Sequence, residues 1–311
     1  MTYLEVQCDL RTGADFRSQL YANHRNGVSP FFELPVDVVR AFPLDYMYLC
    51  CLGVMRKLLL TWMRGRREIR MSSAQICEVN KRLVSIKPFI PNIFSCLPRS
   101  LDEVDRWKAT EFRPFMLYTG KVVLRGILQQ PLYDHFMCFS VALCVLVCPS
   151  LAAEHSAYAH ELLLYFVDTC KELYGDEFLV YNVHALTHIA AESTEFGCLD
   201  ASSGFPFENY FQRLKKLVES HYRKPSSDSA SCRVARKLLS EWCSEESEKP
   251  CLHAGQFSLL RDTPRCWYQQ RLCTPPSLQE DAAIFWQSVW LATCTYLRSR
   301  RTWRNRRSRF C

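Results

Sequence analysis

The sequence contains little glycine, and its first residues lack the apolar run that begins a secreted protein. Only 10 of its 311 residues are glycine, which argues against an all-β protein rich in tight turns. The N-terminal stretch MTYLEVQCDLRTGADF has no apolar segment of the kind found in signal peptides. We therefore expect an intracellular protein, located in the nucleus or the cytoplasm.

The cysteines lack the arrangement that a disulfide scaffold or a zinc finger needs. There are 17 of them, an odd number, in a chain much longer than a small secreted domain. No CxxC pair is followed by a second pair at zinc-finger spacing. Cys138, Cys144 and Cys148 lie in an apolar run, where cysteine behaves as a small hydrophobic residue. We expect mostly free thiols in a reducing compartment.

No apolar run is long enough to predict a membrane span. The most apolar stretch extends from His135 to Ala153 and is interrupted by Pro149. Its uninterrupted part is about fifteen residues, fewer than the ~20 that a spanning helix needs. The stretch therefore predicts a buried core helix.

Positive charge is concentrated at the C-terminus. The formal net charge is +7, and seven arginines lie between Arg298 and Arg309, so the rest of the chain is close to neutral. Such a segment is typical of a nuclear import signal or of a nonspecific contact with nucleic acid. The alternative is a disordered tail without a function.

Helical patterns dominate after residue 44. Asp45 precedes apolar residues at helical spacing, and Gly65 is a stop signal for the same helix. Two pairs with capping-box spacing, Ser72 with Gln75 and Ser100 with Glu103, predict two further helix starts. Later segments with a helical pattern are Leu132–Val147, Glu154–Leu173, Glu177–Glu192, Pro206–His221 and Ala230–Cys243.

The predicted fold class is therefore mainly α. Strand signals are few and weak, and VVLRGIL at residues 122–128 is an example. We predict an extended arm at 1–44, a helical domain at 45–243 and a poorly patterned, partly disordered tail at 244–311.

Three acidic residues are candidates for catalysis: Asp45, Glu111 and Glu208. Enzymes that cleave DNA commonly hold two divalent metal ions with converging carboxylates. Each residue also has a structural interpretation. Asp45 is suited to cap a helix, Glu111 to pair with Lys108 or Arg113, and Glu208 to lie in the first turn of a helix.

Two other sets are candidates for binding. His184 and His188 are four residues apart and share a helix face, so they could bind one metal ion. The alternative is two histidines packed between helices. A second set is basic and interleaved with apolar residues, which is typical either of a phosphate-binding helix or of an ordinary solvated helix face: Arg213, Lys215, Lys216, Arg223 and Lys224.

Four motifs, taken in order, point to a family. They are FPLDYMYLCCLGVMRKLLLTWMRG, RSLDEVDRWKATEFRPFMLYTG with the following VVLRGIL, ELYGDEFLVYNVHALTHIAAESTEFGCLD, and FPFENYFQRLKKLV. In this order the motifs resemble the C-terminal half of the transposase-like proteins of CACTA (En/Spm-type) DNA transposons, over roughly residues 9–240. The resemblance implies an ancestral RNase H-like DDE/D enzyme that cuts and rejoins DNA with Mg²⁺ or Mn²⁺.

The resemblance assigns Asp45 as one catalytic acid and Glu111 as a second. The family usually has a histidine three residues after the aspartate, whereas this chain has Tyr48, and a phenol does not replace imidazole as a metal ligand near neutral pH. Only 44 residues precede Asp45, and they contain no run of strand patterns. We therefore expect an incomplete or absent RNase H-like sheet and a degenerate fragment.

Two hypotheses about function arise from the resemblance. The first is a transposase-derived protein without catalytic activity, with no small-molecule substrate and no resident cofactor apart from Mg²⁺ or Mn²⁺ if activity persists. The second is a non-catalytic module that was retained to bind DNA or a protein partner. An active nuclease that obtains its missing acid from another chain is a third alternative.

Overall fold

A computed structural model describes residues 2–3, 10–20, 27, 29–92 and 94–222, with side chains as far as Lys216. This part of the chain is mainly helical and contains no strands, which confirms the predicted class. The α-helices are α1 (Gly13–Arg17), α2 (Arg56–Arg64), α3 (Ser73–Ser85), α4 (Ala109–Pro114), α5 (Gly120–Val123), α6 (Gln130–Val147), α7 (Pro149–Tyr174), α8 (Tyr181–His184), α9 (Leu186–Phe196) and α10 (Phe205–Tyr222).

Shorter or differently wound segments connect these helices. The 3₁₀ turns are Pro30–Glu33, Lys87–Phe89, Leu101–Arg106 and Asp176–Phe178. The first π-helical segment is Met47–Met55 and the second is Phe115–Thr119. The predicted helix at Ala230–Cys243, the tail at 244–311 and its arginines lie outside the described residues.

The helix predicted after Asp45 is confirmed, but its first half is wound as a π-helix. The first π-helical segment continues directly into α2, and Gly65 ends α2 with its N–H bonded to the carbonyl of Thr61 at 2.9 Å. Gly53 allows a close approach inside this segment, because a Cβ there would lie 2.5 Å from Nδ2 of Asn182. Long π-helical runs are rare and have no simple sequence signature.

One of the two predicted capping boxes is confirmed. The Ser72 hydroxyl accepts from the backbone N–H of Gln75 at 3.3 Å, and the side-chain Oε1 of Gln75 accepts from the backbone N–H of Ser72 at 2.8 Å. Ser100 caps only a 3₁₀ turn, and Glu103 forms an ion pair with Arg99 in place of the predicted backbone contact. The second box is therefore wrong, because an arginine one residue before the cap competes for the glutamate.

The strand signal at residues 122–128 is wrong. Val122 belongs to α5, and the chain then turns at Gly126, whose φ of +71° lies in the left-handed region. The backbone N–H and C=O groups of this stretch form hydrogen bonds either within the stretch or with side chains of α3. The carbonyl of Ile127 accepts from Gln75 Nε2 at 2.7 Å, and that of Arg125 accepts from Arg82 Nη1 at 2.8 Å. Val123 and Ile127 are buried in the core of the helical protein.

The core is centred on α6 and α7. α6 packs along α7, and α7 in turn packs on α9. α6 alone among the described helices is long and apolar enough to cross a membrane by length and composition, but 78% of that stretch is buried inside the protein. The predicted core helix is thus confirmed. α7 begins at Pro149, where proline fits the first turn of a helix, and it is kinked at His155, next to the predicted start at Glu154.

A chain of polar groups crosses this core from α2 to α7. Trp62 Nε1 donates to Tyr174 Oη at 3.4 Å, and that hydroxyl lies 3.3 Å from His135 Nδ1. His135 Nε2 lies 2.8 Å from the carbonyl of Phe166, so the network assigns the proton to Nε2 and makes Nδ1 the acceptor. Burial lowers the pKa of His135 to about 4, although the Phe166 carbonyl opposes the shift. The imidazole is therefore neutral at pH 7.

The described chain divides into two units at Ser203. The first unit contains α1 to α9 and the core. In the second unit the described element is α10, an amphipathic helix that begins at Phe205.

Candidate functional site

Asp45 caps the start of a helix. Its Oδ1 accepts from the Met47 N–H at 2.9 Å, and its backbone carbonyl accepts from the Leu49 N–H at 2.8 Å. The half-buried carboxylate thus satisfies an N–H group that the first turn leaves without a partner. The structural interpretation of Asp45 is confirmed. Tyr48, three residues after Asp45, is 52% exposed.

Glu111 ties α4 to the segment before it. Its Oε1 forms an ion pair with Arg99 Nη1 at 2.8 Å, and its Oε2 accepts from the Lys108 N–H at 2.6 Å. The side chain is only 9% exposed, so both oxygens are used in a sheltered place. The predicted ion pair with the side chain of Lys108 or Arg113 is wrong. Glu111 pairs with Arg99, and Arg113 pairs with Asp200.

Arg113 and Asp200 form an ion pair that the sequence did not predict. Nη2 of Arg113 lies 2.7 Å from Oδ2 of Asp200, and the two side chains are 10% and 21% exposed. The residues are 87 positions apart, so no local pattern joins them. One weak signal is present in the sequence: Arg113 lies at a core-facing helical position between Phe112 and Phe115.

The Arg113–Asp200 ion pair lies close to Tyr46 and Cys51, which follow Asp45 in the chain. α4 packs on the first π-helical segment. Burial by itself would lower the pKa of Arg113. The neighbouring Tyr46 and Asp200 outweigh this effect and raise its pKa above the ordinary value. Burial also raises the pKa of Tyr46 and brings that of Cys51 to about 12, despite the nearby guanidinium. At pH 7 the phenol and the thiol are neutral, and Arg113 is the charged centre of this region.

A second acidic group lies at the same helix start. Oε2 of Glu192, from α9, accepts from the N–H of Leu44 at 2.5 Å. Half-burial raises the pKa of Glu192, although this hydrogen bond opposes the shift. Asp45 and Glu192 thus bind neighbouring backbone N–H groups and hold the entry of the helix in place.

His184 and His188 lie at the junction of α8 and α9 and face one another. Their ring centroids are 5.3 Å apart in an edge-to-face arrangement, and Tyr3 stacks on His184 at 5.0 Å. Partial burial lowers the pKa of both histidines, and the charges of His184 and His160 lower that of His188 further. Two half-buried histidines packed between helices, the structural interpretation of this pair, fit this geometry.

The basic residues that the structure describes are exposed on α10. They are Arg213, Lys215 and Lys216. Glu208 lies in the first turn of the same helix, as its structural interpretation predicts. Arg223 and Lys224 lie outside the described residues.

The candidate acids are not assembled as a metal site. In the described part of the chain, no group of three or more His, Cys, Asp or Glu side chains is arranged to hold a metal ion. Asp45 and Glu111 have separate partners and belong to different elements. Comparisons with family models, with curated proteins and with solved structures found no match to this chain.

Proposed function

We propose that this chain is a non-catalytic helical protein that descends from a CACTA-type transposase. The observation that carries the proposal is the use of Asp45 and Glu111, the two acids named by the resemblance, in structural hydrogen bonds. Glu111 uses both carboxylate oxygens in such contacts and Asp45 uses Oδ1, and these contacts compete with the binding of a divalent ion. The ordered motifs support the ancestry, and these contacts support the loss of DNA cleavage.

A nuclease assay tests the proposal. Full-length protein is incubated with Mg²⁺ or Mn²⁺ and with duplexes that carry CACTA ends, and we expect no cleavage above a buffer control. Cleavage that requires the metal and is lost in Asp45→Ala would overturn the proposal, provided that circular dichroism shows the variant to be folded.

The same substitution has a predicted effect on stability. We expect Asp45→Ala to lower the free energy of unfolding by about 1 kcal/mol, because the Met47 N–H loses its acceptor. Asp45→Asn keeps a capping oxygen and is the matched control, with a smaller loss. Urea unfolding measures both. Equal losses in the two variants would contradict the capping role.

Binding to DNA is a second candidate function, favoured by the exposed cations of α10. Arg213, Lys215 and Lys216 lie within four residues on one helix, and cations grouped in this way release counterions when they bind phosphates. The interaction would be independent of sequence, since phosphate contacts carry no information about the bases.

Salt titration of the affinity for duplex DNA tests this function. We expect the double variant Lys215→Gln/Lys216→Gln to bind more weakly and to lower the slope of log affinity against log salt by about two, one for each lysine. The charge-matched control is Arg67→Gln/Lys81→Gln, which removes two exposed cations elsewhere. An equal effect of both double variants, or binding insensitive to salt, would exclude α10 as the contact.

A further inference from the structure

Lys121 and Cys144 are in direct contact inside the protein. Lys121, in α5, is only 1% exposed, and its Nζ lies 3.2 Å from Sγ of Cys144 in α6. The Cys144 thiol also donates to the carbonyl of Leu117 at 3.4 Å. A side-chain nitrogen and a sulfur are thus held at van der Waals distance on two helices.

The surroundings distinguish Cys144 from other cysteines of the core. Cys50 and Cys51 are fully buried, and burial raises their pKa, which makes them poor nucleophiles. Cys144 is half-buried and is therefore less sheltered from a small oxidant than Cys50 and Cys51. Lysine is rarely buried to this extent, and here its amine is the sheltered member of the contact.

The short distance between the nitrogen and the sulfur determines the fate of the thiol once it is oxidised. A sulfenic acid reacts with a thiol to give a disulfide, or with a nitrogen nucleophile to give a sulfenamide. At Cys144 the nitrogen of Lys121 is already positioned, and intramolecular placement of two reacting groups accelerates their reaction strongly. Capture of the sulfenic acid by the amine also prevents further oxidation to the sulfinic acid.

We propose that Lys121 and Cys144 form a reversible, oxidation-dependent sulfenamide crosslink between α5 and α6. In the first step a hydroperoxide oxidises Cys144 by two electrons, and the thiol becomes a sulfenic acid while the hydroperoxide is reduced to an alcohol, or to water when it is hydrogen peroxide. In the second step Lys121 first gives up its ammonium proton, the free amine then attacks the sulfur, the N–S bond forms, and the S–O bond breaks. The hydroxyl group leaves with one amine proton as water.

The link would join α5 to the core helix and close a loop between residues 23 positions apart. α5 directly follows the second π-helical segment. Oxidation would therefore link α5, and through it the second π-helical segment, covalently to α6. Two equivalents of a cellular thiol would reverse the link by reducing the N–S bond to the amine and the thiol.

Mass spectrometry of the full-length chain tests the proposal. The reduced protein is treated with hydrogen peroxide and digested, and peptides that contain residues 121 and 144 are measured. We expect a linked pair whose mass is the sum of the reduced peptides less two hydrogens, and dithiothreitol should restore the separate peptides. Cys144 converted to the sulfinic acid without any linked pair would overturn the proposal.

Two variants make the test specific. Lys121→Met keeps the side-chain length without the amine, and replacing a buried charge with an apolar residue of similar size is commonly tolerated. In this variant we expect complete loss of the linked pair and accumulation of the Cys144 sulfinic acid. Cys77→Ser removes an exposed thiol and should leave the crosslink intact. Linked peptides that persist in Lys121→Met would show that another nitrogen is used and would contradict the proposal.

Discussion

Replacement of Arg113 with alanine is expected to lower the free energy of unfolding by about 3–5 kcal/mol, because it leaves the largely buried carboxylate of Asp200 without its cation. Urea unfolding monitored by circular dichroism measures the loss.

The matched control removes both charges. We expect Arg113→Met/Asp200→Leu to be clearly more stable than Arg113→Ala, because no unpaired charge is left in this region of the double variant. A loss below about 1 kcal/mol in the single variant would mean that water solvates Asp200 well enough to replace Arg113, as it does at exposed ion pairs. Equal losses in the single and the double variant would assign the effect to packing alone.

Acidification is expected to destabilise the protein through His135. The pKa of this histidine is about 4 in the folded state and ~6.5 in an unfolded chain. Between these values the unfolded state binds more protons, so stability falls as the pH falls from about 6.5 to 4. At about 1.4 kcal/mol per pKa unit, the loss from this residue approaches 3 kcal/mol.

The physical cause is the hydrogen-bond chain through the core. A proton on Nδ1 would remove the acceptor that faces the Tyr174 hydroxyl, and it would place a charge against the stacked ring of Phe166 at 4.0 Å. Urea unfolding at several pH values tests this. Carboxylates also titrate in this range, so the relevant quantity is the difference between the wild type and His135→Gln. A pH profile of the same slope in both proteins would contradict the assignment.

The sequence predicts the helices well where the signals are local. Ser72 and Gln75 form their capping box because the two side chains are three residues apart and need no other part of the chain. Asp45 caps its helix for the same reason. Where another side chain competes, the local pattern fails, as at Glu103, which binds Arg99 in place of the Ser100 backbone.

The candidate site was predictable only in part. Its acids could be named from the four motifs, but their contacts could not, because Glu111 binds Arg99, which lies 12 positions earlier in the chain. The π-helical winding before α2 was not predictable either, since long π-helical runs have no simple sequence signature.

The sequence by itself determined the helical class, the ends of α6 and α10 to within two residues, the burial of α6 and the capping role of Asp45. These depend on apolar periodicity, on capping residues and on proline, all of which act within a few residues. Only the tertiary structure decided that Arg113 binds Asp200 and that Lys121 meets Cys144, 87 and 23 residues away. Such contacts arise when helices pack, because packing brings together side chains that no local pattern relates.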